Sequence, residues 1–249
     1  MHLKYFVNMY ENIEIHVSDF CNRNCDFCVS KRENRKRQMS VKTAQELLSK
    51  LTLSAPKAVT FSGGGEPTTN NMVFAYLADG LMDAGARCGL TTNGWQTGAN
   101  ERELEWTRLS VYNVNCGREI KNVLATRAKK HNAALFYKGI DDLKKYKFLL
   151  SVFDEVTVKT LNDSKGLTDD EARAIVELGF KCKQNPVAND FAECRFAKPC
   201  FDPEGKEHKC CLCKAQGGFF GVSKCIVPCV MYNSNKQGEL IWNRYGFAI

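Results

Sequence analysis

Apolar residues alternate with polar ones at Ile13, Ile15 and Val17, the period-two pattern of a half-buried strand. That strand runs straight into a loop holding three cysteines. Helical spacing then takes over: Ser40 caps a helix reaching Leu51, with Ala44, Leu47, Leu48 and Leu51 on one face. Ala58–Phe61 reads as a short buried strand ended by Gly63, Gly64 and Gly65. A helix over 72–84 and a strand at Arg87–Thr92 follow, the latter stopped by Asn93 and Gly94. The rhythm continues with strands at 109–114, 133–137 and 155–160, separated by helices over 118–131 and 141–150. Thr168 and Glu171 form a capping box for a helix ending at Gly179.

Six βα units in succession predict an α/β fold with a parallel sheet and a ligand at the carboxyl ends of its strands. The count suits an open barrel as well as a doubly wound sheet. Near residue 181 the helical rhythm stops and a cysteine-rich segment begins. The expected organisation is therefore a domain over 1–180 and an extension over 181–249.

Composition narrows the setting. The chain has 249 residues, 44% hydrophobic and 25% charged, as a soluble globular protein does. Its first residues hold no continuous apolar stretch, so the reading is no signal peptide, no membrane span and a cytoplasmic setting with reduced thiols. A net charge of +7 favours anions without choosing among phosphate, nucleic acid and acidic peptide. Much of it sits in Lys31, Arg32, Arg35, Lys36 and Arg37, a solvated loop or a rim for a polyanionic substrate. No aromatic residue interleaves that run, so base stacking on nucleic acid has no support there.

The cysteines change the picture most. There are 13, an odd number that a pure disulfide framework would not use up. Three fall within 21–28 and seven within 194–229, leaving Cys88, Cys116 and Cys182 between. Clusters of this kind among reduced thiols point to metal. Cys21, Cys25 and Cys28 form a CxxxCxxC triplet with no fourth cysteine nearby. Such a loop can wrap an iron–sulfur cluster and leave one iron open. A zinc site completed by a remote ligand is the alternative, though zinc motifs usually come as paired CxxC halves.

CxxxCxxC after a first strand, with Phe27 just before the third cysteine, resembles the signature of the radical S-adenosylmethionine (SAM) superfamily. The resemblance implies a partial (β/α)6 barrel of TIM type. It also implies a 4Fe–4S cluster on Cys21, Cys25 and Cys28 whose open iron binds SAM. Gly64, Gly65 and Glu66 resemble that family's Gly-Gly-Glu motif, which contacts the methionine amino group. Thr92 and Asn93 resemble its Thr-Asn-Gly run, and Ser110 stands where relatives place a SAM-contacting serine. Tyr112 and Asn113 depart from the Asp-Gly that more often follows. Phe27, Gly64, Gly65, Glu66, Thr92, Asn93 and Ser110 are thus the expected SAM-binding residues.

The second cluster comprises Cys194, Cys200, Cys210, Cys211, Cys213, Cys225 and Cys229, with His208 among them. Zinc is one reading. The arrangement also resembles the twitch and SPASM extensions of the superfamily, which hold auxiliary 4Fe–4S clusters. On that resemblance Cys194, Cys210, Cys213 and Cys229 hold one auxiliary cluster, and the cysteine count has room for a second. Cys116 reads as a small core residue or as a hydrogen donor facing substrate, the one catalytic candidate the sequence offers. The expected activity is reductive SAM cleavage to a 5′-deoxyadenosyl radical that abstracts hydrogen, in an oxidation or rearrangement. The substrate is a small molecule, nucleotide or peptide, and the electron comes from a flavodoxin- or ferredoxin-type donor. Ten residues precede the first strand, which favours the first two substrates over a peptide needing its own binding domain. A glycyl-radical activase and a non-enzymatic zinc or nucleic-acid-binding module are the competing readings.

Overall fold

The computed structural model describes residues 12–25, 28, 36–160, 167–183 and 200–208. Strand β1 (Asn12–Ile15) is followed by helix α1 (Val41–Ser54), β2 (Ala58–Phe61), a 3-10 turn (Pro67–Asn70), α2 (Asn71–Asp83), β3 (Arg87–Thr92) and β4 (Trp106–Val111). Then come α3 (Gly117–Ala125), β5 (His131–Phe136), α4 (Ile140–Lys144), a second 3-10 turn (Lys147–Ser151), β6 (Glu155–Lys159) and α5 (Asp169–Glu177). Three short strands close the list: β7 (Lys181–Lys183), β8 (Cys200–Phe201) and β9 (Glu207–His208). No helix among the described residues is long and apolar enough to cross a membrane.

The strands form one sheet in the order β7-β6-β5-β4-β3-β2-β1-β8-β9. Pairing is parallel from β7 to β8, and β9 is antiparallel to β8. The sheet does not close on itself, so the fold is the open, partial barrel that the βα rhythm implies. It continues past residue 180 through β7, and takes up residues 200–208 beside β1.

Local chemistry sets the bounds. Ser40 Oγ accepts from Thr43 N at 3.0 Å and starts α1, whose Ala44, Leu47 and Leu51 are buried. The capping box at Thr168 and Glu171 starts α5. Two helices are shorter than their periodicity suggests. α3 ends at Ala125 rather than near 131, because Thr126 turns extended and its hydroxyl donates back to Asn122 O at 3.1 Å. The residues after it already lead into β5, and β4 begins three residues earlier than its apolar run, at Trp106. The helix read over 141–150 breaks into α4 and a 3-10 turn, tightened by Tyr146 N donating to Leu143 O at 2.9 Å.

Strand alternation divides the sheet into two unlike faces. Ile13, Ile15, Val59, Phe61, Cys88 and Leu90 pack with α1 and α2 in one apolar cluster. Leu109, Val111, Ala133, Leu135, Val156 and Val158 pack with α3 to α5 in a second. The opposite parity carries Glu14, Thr60, Thr91, Arg108, Ser110, Asn132 and Glu155 beside Trp106, Ala134 and Phe136, so the concave face is largely polar where a closed barrel would be filled with apolar side chains.

Candidate active site

The cysteine loop leaves β1 and is fixed at both ends. Ser18 Oγ accepts from Phe20 N at 3.0 Å, and Asp19 N donates to Arg37 O at 2.9 Å. Arg37 also pairs with the buried Asp19 carboxylate at 2.6 Å. Within the loop Cys28 N donates to Cys25 O at 3.1 Å, and Arg23 N donates to Cys21 Sγ at 3.4 Å.

The glycines after β2 zip onto this loop. Gly65 N donates to Ser18 O and Glu66 N to Phe20 O, both at 2.8 Å. A Cβ on Gly65 would lie 2.0 Å from Phe20 O, so only glycine lets the two backbones meet this closely. Gly63 and Gly64 take positive φ values of 66° and 60°, in the left-handed region that favours glycine. Glu66 then turns inward. Its Oε1 accepts from Thr68 N, Thr68 Oγ1 and Thr92 Oγ1 at 3.1, 2.8 and 2.6 Å, and its Oε2 accepts from Asn93 N at 2.7 Å. Burial raises its pKa above the ordinary carboxylate range, while these donors oppose the rise. The carboxylate thereby ties the ends of β2 and β3 together.

Asn93 completes the link to the cysteines. Its Nδ2 donates to Asn22 Oδ1 at 2.8 Å and lies 3.8 Å from Cys21 Sγ. Its buried Oδ1 has no partner among the described residues.

These loops enclose a cavity of about 240 Å³ at the carboxyl ends of β1 to β5. Cys21, Cys25 and Cys28 line it together with Gly64, Gly65, Glu66, Thr92, Asn93 and Ser110. The wall thus gathers residues from Cys21 at one end of the chain's barrel segment to Ser110 on β4. Phe27 and the auxiliary candidates Cys194, Cys210, Cys213 and Cys229 lie outside the described residues. Cys116 is not part of the wall: it is the residue preceding α3, 4% exposed and packed in the second apolar cluster.

Sequence reasoning missed part of the wall. Arg23, Tyr112 and Phe136 also line the cavity. Tyr112 and Phe136 stack at 5.8 Å, and the Arg23 guanidinium lies 4.8 Å from the Tyr112 ring centroid. Burial, with the charges of Cys25, Glu66 and Cys21, keeps the Tyr112 phenol neutral by pushing its pKa up. The period-two step from Ser110 to Tyr112 was the available signal, since residues two apart on a strand share a face.

The donor set fits a polynuclear iron–sulfur cluster. Among the described residues no three Cys, His, Asp or Glu side chains converge to hold a single ion. A 4Fe–4S cluster has no such requirement, because each thiolate binds a different iron. Burial pushes the Cys21 thiol up; the Arg23 N–H lowers it, and Glu66, Cys25 and Cys28 raise it again. Three thiolates on one cavity wall need a positive metal centre to be stable there. The unpartnered Asn93 Oδ1 and the glycine cradle leave polar groups and room for a second, polar ligand beside them.

An open parallel barrel with three thiols and a glycine-walled cavity at its strand ends defines a class of iron–sulfur barrel proteins. The chain belongs to the radical SAM superfamily, whose profile matches residues 15–179. No curated protein matches it in sequence. Among solved structures it is similar to Streptococcus suis SuiB bound to the precursor peptide SuiA, at 15% identity and a TM-score of 0.65, over 94% of this chain and 67% of that one. SuiB bound to S-adenosylmethionine matches at 16% identity and a TM-score of 0.63, over 94% and 68% of the two chains. The structure of anSMEcpe with bound AdoMet and a peptide matches at 13% identity and a TM-score of 0.56, over 96% and 84%.

Proposed function

We propose that the chain binds a 4Fe–4S cluster through Cys21, Cys25 and Cys28 and SAM in the adjoining cavity, and acts by hydrogen abstraction on a peptide substrate. The observation that carries this reading is the single cavity wall shared by the three thiols, the glycine turn and Asn93. When bound, the cluster supplies the electron that cleaves SAM to methionine and a 5′-deoxyadenosyl radical, which takes hydrogen from the substrate.

The chain's own residues position and shield. Backbone carbonyls of the Gly63–Gly65 turn can accept from the SAM ammonium, and Asn93 Oδ1 offers a further acceptor. Ser110 presents a hydroxyl from β4. Tyr112 and Phe136 wall the cavity with aromatic rings that exclude water from the radical. The peptide assignment draws on SuiB and anSMEcpe, both solved with peptides bound, and sets aside the small-molecule or nucleotide preference read from the sequence. Oxidation or rearrangement is the reaction type, with a flavodoxin- or ferredoxin-type electron donor. Cys194, Cys210, Cys213 and Cys229 hold an auxiliary cluster in this proposal.

The test is anaerobic iron and sulfide counting on the wild type and on a Cys21/Cys25/Cys28→Ala variant, with a reductive SAM-cleavage assay. The expected result is a loss of about four irons in the variant with others retained. Only the wild type should form 5′-deoxyadenosine. Zinc in place of iron, with no cleavage, overturns the proposal.

A further inference from the structure

The polar concave face holds a charge that the site described above does not use. Thr91, Arg108, Asn132 and Glu155 occupy one row across β3 to β6, each paired in register with the next. Arg108 sits in the middle of the row. Its Nη2 donates to Thr91 Oγ1 at 3.0 Å, and its guanidinium lies 5.2 Å from the Trp106 ring centroid.

Arg108 Nε is sealed from solvent and has no hydrogen-bond partner among the described residues. Asn132 Oδ1, on the neighbouring strand, is equally sealed and equally unpartnered. Among the described residues no carboxylate forms an ion pair with Arg108; Glu14 and Glu155 reach it only by longer-range attraction. Burial works against the charge, but a guanidinium does not give up its proton in a protein. A desolvated cation without a counter-ion lowers stability, and native proteins rarely keep one without a use. Thr91, to which Arg108 donates, also lines the cavity. The guanidinium is therefore one hydrogen bond below the cavity wall.

We infer that Arg108, with Asn132 beside it and Thr91 above it, is a subsite that anchors a carboxylate of the substrate. The inference rests on the proposed function for the identity of the site, and deepens it by naming an acidic side chain or C-terminal carboxylate as the anchoring group. The planar fork of arginine matches a carboxylate in two parallel hydrogen bonds. The Asn132 amide can donate to the same group once its side chain is turned, as amide orientation follows the available partners. Anchored there, the rest of the substrate extends upward past Thr91 toward Ser110 and the SAM cavity.

The experiment uses the full chain with three probes: N-acetylglutamic acid α-amide, its glutamine counterpart and inorganic phosphate. Melting temperature and tryptophan fluorescence are read, the latter because Trp106 stacks on Arg108. The glutamic probe is expected to raise Tm by roughly 3 °C at about ten times its dissociation constant and to change the fluorescence. The glutamine probe should do neither, and Arg108→Met should abolish the response. Without any probe, Arg108→Met should melt at or above the wild-type temperature, since it removes an unpaired charge. Arg108→Lys keeps the charge but loses the fork, and should bind the glutamic probe at least tenfold more weakly.

A fall in Tm of several degrees in unliganded Arg108→Met overturns the inference, because Arg108 is then a structural prop. Equal responses to the glutamic and glutamine probes overturn it too. A response to phosphate alone overturns the carboxylate assignment. A carboxylate response at Arg108 in a preparation that forms no 5′-deoxyadenosine upholds the subsite and overturns the proposed activity.

Discussion

Arg23 Nη2 donates to Glu119 Oε1 at 2.8 Å, tying the middle of the cysteine loop to the first turn of α3. The two side chains are 23% and 12% exposed, so the pair is neither a solvated surface bridge nor a sealed one. Its coupling in a double-mutant cycle should be about 1–2 kcal/mol, between those two cases. Arg23→Gln is expected to lower iron incorporation more than it lowers the urea midpoint, because the loop loses its anchor while both apolar clusters stay intact. Iron content per chain after reconstitution checks this, with Glu119→Gln as the partner variant.

Glu66→Gln should destabilise the fold by roughly 1–3 kcal/mol, the cost of leaving a buried donor unmatched. The carboxylate accepts from four donors, and an amide NH2 would face one of them. Thr92 and Asn93 would lose their fixed places at the cavity wall. Weaker SAM binding by calorimetry, alongside the lower unfolding midpoint, is the expected pair of results.

Gly65→Ala tests the close approach of the two loops. Its Cβ meets Phe20 O at 2.0 Å, and backbone cannot swing aside as a side-chain tip can. The variant should lose about 1–3 kcal/mol of stability and fail to hold a full cluster. A Gly85→Ala control faces no neighbour within 4 Å but sits at a φ of 91°, so it isolates backbone strain from steric clash. Circular dichroism melting and iron counting separate the two.

Glu155 gives the acid limb of stability a local marker. Burial raises its pKa, but hydrogen bonds from Lys181 and Thr157 and the charges of Lys181 and Arg108 outweigh it and hold the group below the ordinary carboxylate range. A folded pKa below the unfolded one means stabilisation that is present above the ordinary range, near about 4.3 for glutamate. It is lost as pH falls through the folded value. Lys181 Nζ reaches Glu155 at 2.6 Å and holds β7 on the sheet edge. Amide exchange in Lys181–Lys183 should therefore accelerate on acidification more than exchange in β5, and Glu155→Gln should flatten that response.

Cys200 belongs by sequence to the seven-cysteine group, yet in the fold it is fully buried in β8, opposite Glu14 of β1. Its Sγ lies 3.3 Å from His16 Nε2. Cys200→Ala is expected to leave the iron count unchanged and to lower stability by about 1 kcal/mol or more through the cavity it opens. A loss of iron would make Cys200 a ligand.

Much of this was written in short-range signals. The short apolar runs and the turn residues that stop them set Ala58–Phe61 and Arg87–Thr92 to the residue, and the caps at Ser40 and Thr168 started their helices where expected. The triplet Cys21, Cys25 and Cys28 and the glycine turn marked the cavity, because a loop that wraps a ligand must carry its chemistry within a few residues. Helix ends were less legible: Thr126 stops α3 through contacts with Asn122 and Gly98 that periodicity does not see.

What only the tertiary structure decided are the pairings across long separations. Residues 200–208 return beside β1, and Arg23 meets both Tyr112 and Glu119. Glu66 turns to Thr92 and Asn93, and Arg108 sits in a polar row with its Nε unpartnered among the described residues. Alternation along one strand says which side chains share its face. Which strands lie side by side, and in what register, depends on burying two apolar clusters at once, and that is a property of the whole folded chain.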